Sequence, residues 1–190
     1  MNRVCCIIDL EGFFLVGRRF LVREFGFIGL NSHSADSIAF DLSPFEQSLE
    51  ESDKKTIEYV TKTISGLPFL PMVGEETVPL TLLTSKVAAV HNLFRTPKRY
   101  KMAFKGGNIE KNVLWRLNIP YLDLEEYGCP KFDELKKSLT SFKTCGFHID
   151  ETLHCPQAEV TAFRAWMLEN ISEPRQSRKF RIKTTKEIEK

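Results

Sequence analysis

The 190-residue sequence predicts an α/β domain in which helices flank a mixed sheet. The first observation is an apolar, β-rich run, residues 4–16, which is typical of a central strand covered on both faces. Two more strand-like runs follow it, and helical and strand patterns alternate from there on. With 42% hydrophobic residues and fifteen Phe, the chain is long enough to bury a substantial core.

The N-terminal part is predicted to form an antiparallel meander of three strands. Gly17 and residues 31–34 supply the turns, and a polar, acidic stretch follows the third strand. The strands are predicted over residues 4–16 (VCCIIDLEGFFLV), 20–30 (FLVREFGFIGL) and 35–42 (ADSIAFDL).

Helices and strands alternate in the remainder of the chain. Apolar residues recur at helical spacing in the longest of these helices, and Gly106 and Gly107 predict a turn. Helices are predicted over residues 56–65, 80–94, 108–117 and, after a long loop, 156–170, and strands over 98–104 and 121–124. This element order is typical of the RNase H-like class, a mixed sheet flanked by helices.

Charge is unevenly distributed along the chain. The net charge of +2 excludes a histone-like nucleic-acid binder. Residues 173–190 carry seven basic and three acidic side chains, which leaves residues 1–172 with 20 basic and 22 acidic ones. The sequence therefore predicts a single domain over residues 1–172 and a basic C-terminal tail over residues 173–190.

The five cysteines argue against a secreted protein, because an odd number with an adjacent pair, Cys5 and Cys6, does not resemble a disulfide framework. No apolar stretch approaches the ~18 residues of a membrane-spanning helix. Asp9 and Glu11 also interrupt the one run that could imitate a signal peptide. We expect a cytoplasmic or nuclear protein that does not associate with membranes.

Asp9 and Glu11 are the anomaly of the first strand. Two residues apart, their side chains leave the same face with Cβ atoms roughly 7 Å apart, a workable span around a divalent ion such as Mg²⁺. Two unpaired carboxylates inside an apolar run would otherwise cost several kcal/mol each, on the order estimated for buried charges. The alternative is that the strand frays before Glu11 and both groups are solvated.

These residues carry a resemblance. The D-x-E of Asp9 and Glu11, Glu24 in REFGFI, and His154 with Glu159 in HCPQAEVTAF are similar to the DEDDh 3′–5′ exonuclease family. The resemblance implies that Asp9, Glu11, Glu110 and Glu159 hold one or two Mg²⁺ or Mn²⁺ ions and that His154 is the general base. Glu110 and Glu159 stand where the family has Asp, and the alternative for His154 is a polar side chain at a helix start.

Cys145, His148 and Cys155 form a second group, C-x2-H-x6-C. Thiolates and imidazole are the ligands that Zn²⁺ prefers, and three of them leave a tetrahedral ion one short. Glu24 is the candidate for the fourth, since on its strand it is expected to share an apolar face with Phe20, Val22, Ile28 and Leu30. The alternative is a pair of free thiols in a loop.

Glu24 followed by C-x2-H-x6-C resembles the Glu-Cys-His-Cys zinc site of the Maelstrom domain, an RNase H-like fold of the piRNA pathway related to the DEDDh exonucleases. The segments FLVREFGFIGL and CGFHIDETLHCPQAEVTAF extend the match beyond the ligands. The resemblance implies a structural, closed zinc site and binding of single-stranded RNA. Animal members of the family have lost the acidic set, of which this chain keeps much.

A basic cluster is predicted around the fourth strand, with aromatic residues interleaved. Such a pattern suits single-stranded nucleic acid, where cations neutralise phosphates and rings stack on bases, or else a solvated strand edge. The cluster consists of Lys98, Arg99, Lys101 and Lys105.

Two functions follow from these observations. The first is a zinc-containing, RNase H-like domain that binds single-stranded nucleic acid, RNA rather than DNA, and acts as a metal-dependent 3′–5′ exonuclease. The alternative is a degenerate nuclease fold that serves as a protein- or RNA-binding scaffold in small-RNA or transposon silencing.

Overall fold

The structure is a computed structural model that describes residues 3–137, 144–149 and 153–171. Within these residues a six-stranded sheet forms the centre. Its strands are β1 (Val4–Leu15), β2 (Arg19–Gly29), β3 (Asp36–Asp41), β4 (Thr77–Pro79), β5 (Lys101–Phe104) and β6 (Tyr121–Asp123). The helices are α1 (Glu51–Val60), α2 (Leu83–Phe94), α3 (Asn108–Arg116), α4 (Phe132–Lys136) and α5 (Pro156–Asn170).

The sheet is mixed, with the strand order β4-β3-β2-β1-β5-β6. β1, β2 and β3 form the expected antiparallel meander, whereas β5 and β6 run parallel to β1, and β4 runs parallel to β3. The predicted α/β class with a mixed sheet is confirmed, and this strand order is consistent with an RNase H-like fold.

Both faces of β1 are buried, which explains its nearly continuous apolar sequence. On one face Ile7 packs with Ile28 and the apolar side of α5. On the other, Ile8 packs with Phe25 and with side chains of α2 and α3. The carboxylates of β1 therefore lie on a strand whose neighbours are apolar above and below.

A β-bulge interrupts the pairing of β1 with β2. Glu11 lies opposite Glu24 in the register. The next pair is Gly12 with Val22, which leaves Arg23 as an extra residue on β2. Because side chains alternate between faces with a period of two, one extra residue moves everything beyond it to the other face.

The bulge corrects one expectation about β2. Glu24 does not share a face with Phe20 and Val22, which pack with Phe25 in the cluster under α2 and α3. Ile28 packs in the cluster under α5, and Glu24 lies on that same side of the sheet, since it bonds to the segment leading into α5. The change of face brings Glu24 towards the residues predicted to complete its metal site.

Several element boundaries differ from those predicted. α1 begins at Glu51 rather than residue 56, because Glu50 and Asp53 form a capping box at its start. It continues into a π-helical turn, Thr61–Ser65, that Gly66 ends in the left-handed conformation with φ 68°. β5 begins at Lys101 rather than residue 98.

Two short elements occupy stretches predicted as loops. β4 adds an edge strand of three residues beside β3, and α4 is a single five-residue helix before α5. Neither is long enough to show a periodic pattern in the sequence.

Within the part of the chain that the structure describes, no helix has the length and apolarity needed to cross a bilayer. The predicted basic tail, residues 173–190, lies outside the described residues. The assignment of residues 1–172 to a single domain stays a prediction.

Candidate functional site

The start of α5 lies directly on the sheet at Gly26. A Cβ atom at this position would lie 2.5 Å from the backbone carbon of Pro156, so only glycine lets the helix approach this closely. In the register of β1 and β2, Gly26 lies opposite Asp9, two pairs along from Glu11 and Glu24. The first turn of α5 is therefore held beside the carboxylates of both strands.

The four predicted carboxylates come from three elements, β1, α3 and α5, and influence one another electrostatically. Burial raises the pKa of Asp9 well above its usual range, and the charges of Glu159 and Glu110 raise it further. An Oε1 atom of Glu110 accepts a hydrogen bond from the Leu10 N–H at 3.1 Å, which fixes α3 to β1 next to Asp9.

Two of these carboxyls have a pKa close to neutral pH. Burial raises the pKa of Glu11 to about 7, and Glu159 adds to the rise. Burial likewise raises the pKa of Glu110 to about 7, against the lowering effect of its backbone hydrogen bonds. Such values indicate carboxylates that lack sufficient positive charge around them, as expected where a cation would bind.

His154 lies beside Glu159, five residues along the chain. Its Nδ1 and an oxygen of Glu159 share a hydrogen bond of 2.6 Å, while Nε2 lies 3.9 Å from an Asp133 oxygen. The His154 side chain is 36% exposed, so its ring reaches solvent at the edge of the carboxylate group. The hydrogen bond to Glu159 raises the pKa of His154.

A second cluster, which we call the Glu24 set, lies alongside. It consists of Glu24, Cys145, His148 and Cys155, all buried, with one ligand atom of each within 4.8 Å of the others. His148 Nε2 lies 2.6 Å from a Glu24 oxygen, and the two sulfur atoms lie 3.7 Å apart. The structure thus brings together all four residues predicted to bind zinc.

The chemistry of the Glu24 set fits a metal ion. The Oε1 atom of Glu24 is buried and has no hydrogen-bond partner among the described residues, so it is an acceptor that a cation would satisfy. His148 Nδ1 bonds to the Ser65 carbonyl, which leaves Nε2 facing the other three ligands. Metal-bound imidazoles in proteins are usually held in this way.

Of the two thiols in the Glu24 set, that of Cys155 has the lowered pKa and ionises first. The hydrogen bond between the two sulfur atoms lowers the pKa of Cys155 to about 4, and a further bond with His148 contributes. Burial raises the pKa of Glu24. Thiolate is the form that binds zinc.

The four candidate carboxylates are less tightly grouped than the Glu24 set. Over the described ranges, the Glu24 set is the one group of three or more potential ligands whose atoms converge within 4.8 Å. Two of these carboxylates are already hydrogen-bonded, Glu159 to His154 and Glu110 to the backbone of β1.

The predicted basic cluster does not stay together. Lys98, Arg99 and Lys101 lie at the start of β5, where Lys101 pairs with Val4 at the far end of β1 from Glu11. Arg99 donates a hydrogen bond to Asn31 at 2.7 Å. Lys105 alone of the four lines the groove that reaches Glu11 and Glu110.

That groove is a feature that the sequence did not predict. It measures about 330 Å³, and Phe14, Phe20 and Ile109 form much of its apolar wall. The Phe14 side chain is 56% exposed, and its ring lies 4.6 Å from that of Phe20. An aromatic residue at the end of an otherwise buried strand is the one signal in the sequence that could have revealed it.

No protein-family model matches the chain, and no curated protein matches it. Among solved structures, the chain is similar to the exonuclease domain of Mopeia virus, in a structure described as fully depleted of manganese, at 16% sequence identity and a TM-score of 0.47. The similarity covers 90% of this chain and 80% of that one.

Proposed function

We propose that this protein is an RNase H-like, Maelstrom-like nuclease that removes nucleotides from the 3′ end of single-stranded nucleic acid, RNA in particular, with the help of divalent ions. The observation that supports the proposal is that the buried Asp9 is influenced by the charges of Glu159, Glu110 and Glu11, and that Glu159 shares a hydrogen bond with His154. Two of these carboxyls have a pKa raised to about 7, which is typical of sites built for charge or proton transfer.

The carboxylates would hold one or two Mg²⁺ or Mn²⁺ ions. When bound, such an ion supplies the positive charge that polarises a phosphate and lowers the pKa of a water. His154 would take the proton from that water at Nε2, because Glu159 engages Nδ1 and the side chain is partly exposed.

The groove beside Glu11 and Glu110 would receive the strand. Its apolar wall and the exposed face of Phe14 suit stacking against an unpaired base, and Lys105 would neutralise a phosphate. Lys98, Arg99 and Lys101 are proposed to contact the strand farther from the cleavage site. The preference for RNA over DNA follows from the family resemblance.

We further propose that the Glu24 set holds a structural zinc ion. The unpartnered Oε1 of Glu24 and the convergence of His148 Nε2 with the other three ligand atoms support a cation here, and two cysteine ligands favour zinc over magnesium. All four residues are buried, which leaves no open position for a reacting water.

The nuclease proposal is tested with end-labelled single-stranded RNA and DNA incubated with Mn²⁺ or Mg²⁺. We expect stepwise shortening from the 3′ end, and no cleavage of a circular strand, which has no end. Asp9→Asn should reduce kcat at least 100-fold, because it removes a negative charge that the metal needs.

Glu126→Gln is the matched control, since it makes the same kind of charge change at an exposed residue and should leave kcat unchanged. Cleavage that survives in Asp9→Asn would contradict the proposed roles. Metal-stimulated cleavage by neither wild type nor variants, together with retained RNA binding, would instead favour the scaffold function.

A further inference from the structure

The π-helical turn at the end of α1 presents three consecutive backbone carbonyls to one segment of the chain. The carbonyls belong to Ile64, Ser65 and Gly66, and we call this turn the carbonyl bracket. Ile64 accepts from the His154 N–H at 3.1 Å, Gly66 accepts from the Ile149 N–H at 2.7 Å, and Ser65 accepts from the His148 ring.

These contacts are an unusual use of a helix end. The carbonyls of a last helical turn have no partner within the helix and are normally satisfied by water or by a local cap. Here the wide π turn and the left-handed Gly66 direct them instead to a segment more than eighty residues away in sequence. Two further bonds hold the exit of the bracket, from Thr61 to the Leu67 carbonyl and from the Leu67 N–H to Ser65 Oγ.

The bracket touches both candidate sites at once. Through Ser65 it holds His148, whose other ring nitrogen lies 2.6 Å from Glu24 in the proposed zinc site. Through Ile64 it holds the backbone of His154, whose ring bonds to Glu159. His154 is also adjacent in sequence to the ligand Cys155, so its backbone is fixed from two directions.

We propose that the carbonyl bracket is a positioning element through which metal bound at the Glu24 set controls the place of His154. The inference rests on the proposed function for what His154 does, although the coupling itself is a property of the fold. Zinc at the Glu24 set would fix His148 and Cys155, the bracket fixes the Ile149 and His154 amides to the turn that follows α1, and His154 is held against Glu159 as a result.

The test compares zinc-loaded and zinc-stripped full-length protein by amide hydrogen exchange. We expect the Ile149 and His154 amides, which donate to the bracket, to lose at least tenfold protection when zinc is removed. Amides that pair β1 with β2 should keep theirs. Unchanged protection at His154, or failure of the protein to bind zinc at all, would overturn the proposal.

Gly66→Ala tests the bracket with zinc present throughout. At φ 68° an alanine is strained, so the bracket should open more readily and zinc affinity should fall about five- to thirtyfold. Gly128→Ala is the matched control, because that glycine has φ 80°, ends another helical turn and has space around it. Equal zinc affinities in the two variants would count against the proposal, even if zinc removal unfolds the whole chain.

Kinetics separate this inference from the nuclease proposal. If the protein cleaves RNA, Gly66→Ala should lower kcat more than it raises KM, since Gly66 does not line the groove, although Ile64 does. Excess zinc should restore part of the loss. If kcat changes neither on zinc removal nor in Gly66→Ala, the coupling is refuted but the nuclease proposal is not. Without any cleavage, hydrogen exchange and zinc affinity still decide the coupling.

Discussion

At the scale of single residues, Arg23 shows what the β-bulge requires of its neighbours. The extra residue of β2 carries a side chain with 0% exposure, and Glu75, 3% exposed, binds its Nη2 through both oxygens at 2.6 and 2.7 Å. Arg23 Nε also donates to the Pro68 carbonyl, and Glu75 accepts from the Met72 N–H. One buried ion pair thus fixes the loop that follows the carbonyl bracket.

Glu75→Gln should destabilise the protein by about 3–5 kcal/mol, because it leaves the Arg23 charge buried without its counter-charge. Chemical denaturation followed by circular dichroism measures the change. The double variant Arg23→Met with Glu75→Leu should recover most of the loss, since a well-packed apolar pair removes the need for compensation.

The matched control is Glu58→Gln, which breaks a pair with Lys62 on the exposed surface of α1 and should change stability little. A Glu75→Gln variant as stable as Glu58→Gln would mean that the buried pair contributes nothing, and that the loop is held by its apolar contacts.

At the scale of the elements, the three strands of the meander and the helix α5 were predictable from the sequence. Each of them carries a long apolar pattern. The span predicted for α5, residues 156–170, agrees with the structure, since Pro156 marks the first helical position. The acidic residues before position 56 predict a loop, whereas in the structure Glu50 and Asp53 form a capping box and α1 begins at Glu51. A tertiary contact, not local propensity, decides the bulge at Arg23.

In the candidate sites too, local sequence patterns predicted some features, whereas tertiary contacts set others. Spacing along the chain was enough to group Cys145, His148 and Cys155, because a metal needs ligands of defined types. Spacing could not show that Glu11 and Glu24 face each other, since pairing between strands sets that register. Nor could it show that Lys105 separates from the rest of its cluster, or that the carbonyl bracket exists.

The zinc content and the melting temperature of the protein are expected to depend on Cys145. Cys145→Ser should reduce bound zinc from one equivalent to near zero, as measured by atomic absorption. It should also lower the melting temperature by roughly 10 °C, because zinc binding contributes directly to folding.

Cys129→Ala is the matched control for this change. Cys129 is a buried free thiol outside the Glu24 set, so its loss should leave the zinc content unchanged. Equal zinc content in wild type and Cys145→Ser would rule out the Glu24 set as the site.

At the scale of the whole molecule, the carboxylates make stability depend on pH when Mg²⁺ and Mn²⁺ are left out. A raised carboxyl pKa means that the folded state favours the protonated form, so this stabilisation is complete below about pH 4.5 and is lost as pH rises through about 7. We therefore expect the melting temperature of the zinc-loaded protein to fall between pH 5 and pH 8.

Glu110→Gln should flatten this dependence and melt several degrees higher than wild type at pH 8. The amide keeps an oxygen for the Leu10 N–H and carries no charge. Glu126→Gln, at an exposed position, should leave the slope unchanged. A steeper slope in Glu110→Gln than in wild type would contradict the assignment of this effect to Glu110.

The position of α5 in the chain has a consequence for how the protein is made. Asp9, Glu11 and Glu24 leave the ribosome early, but Cys155 and Glu159, on the helix that covers them, emerge much later. At ~5–20 residues per second, the interval is on the order of 10 s. During synthesis the chain therefore carries Asp9 and Glu11 without Glu159, so the carboxylates proposed to bind divalent ions can come together only after α5 has left the ribosome.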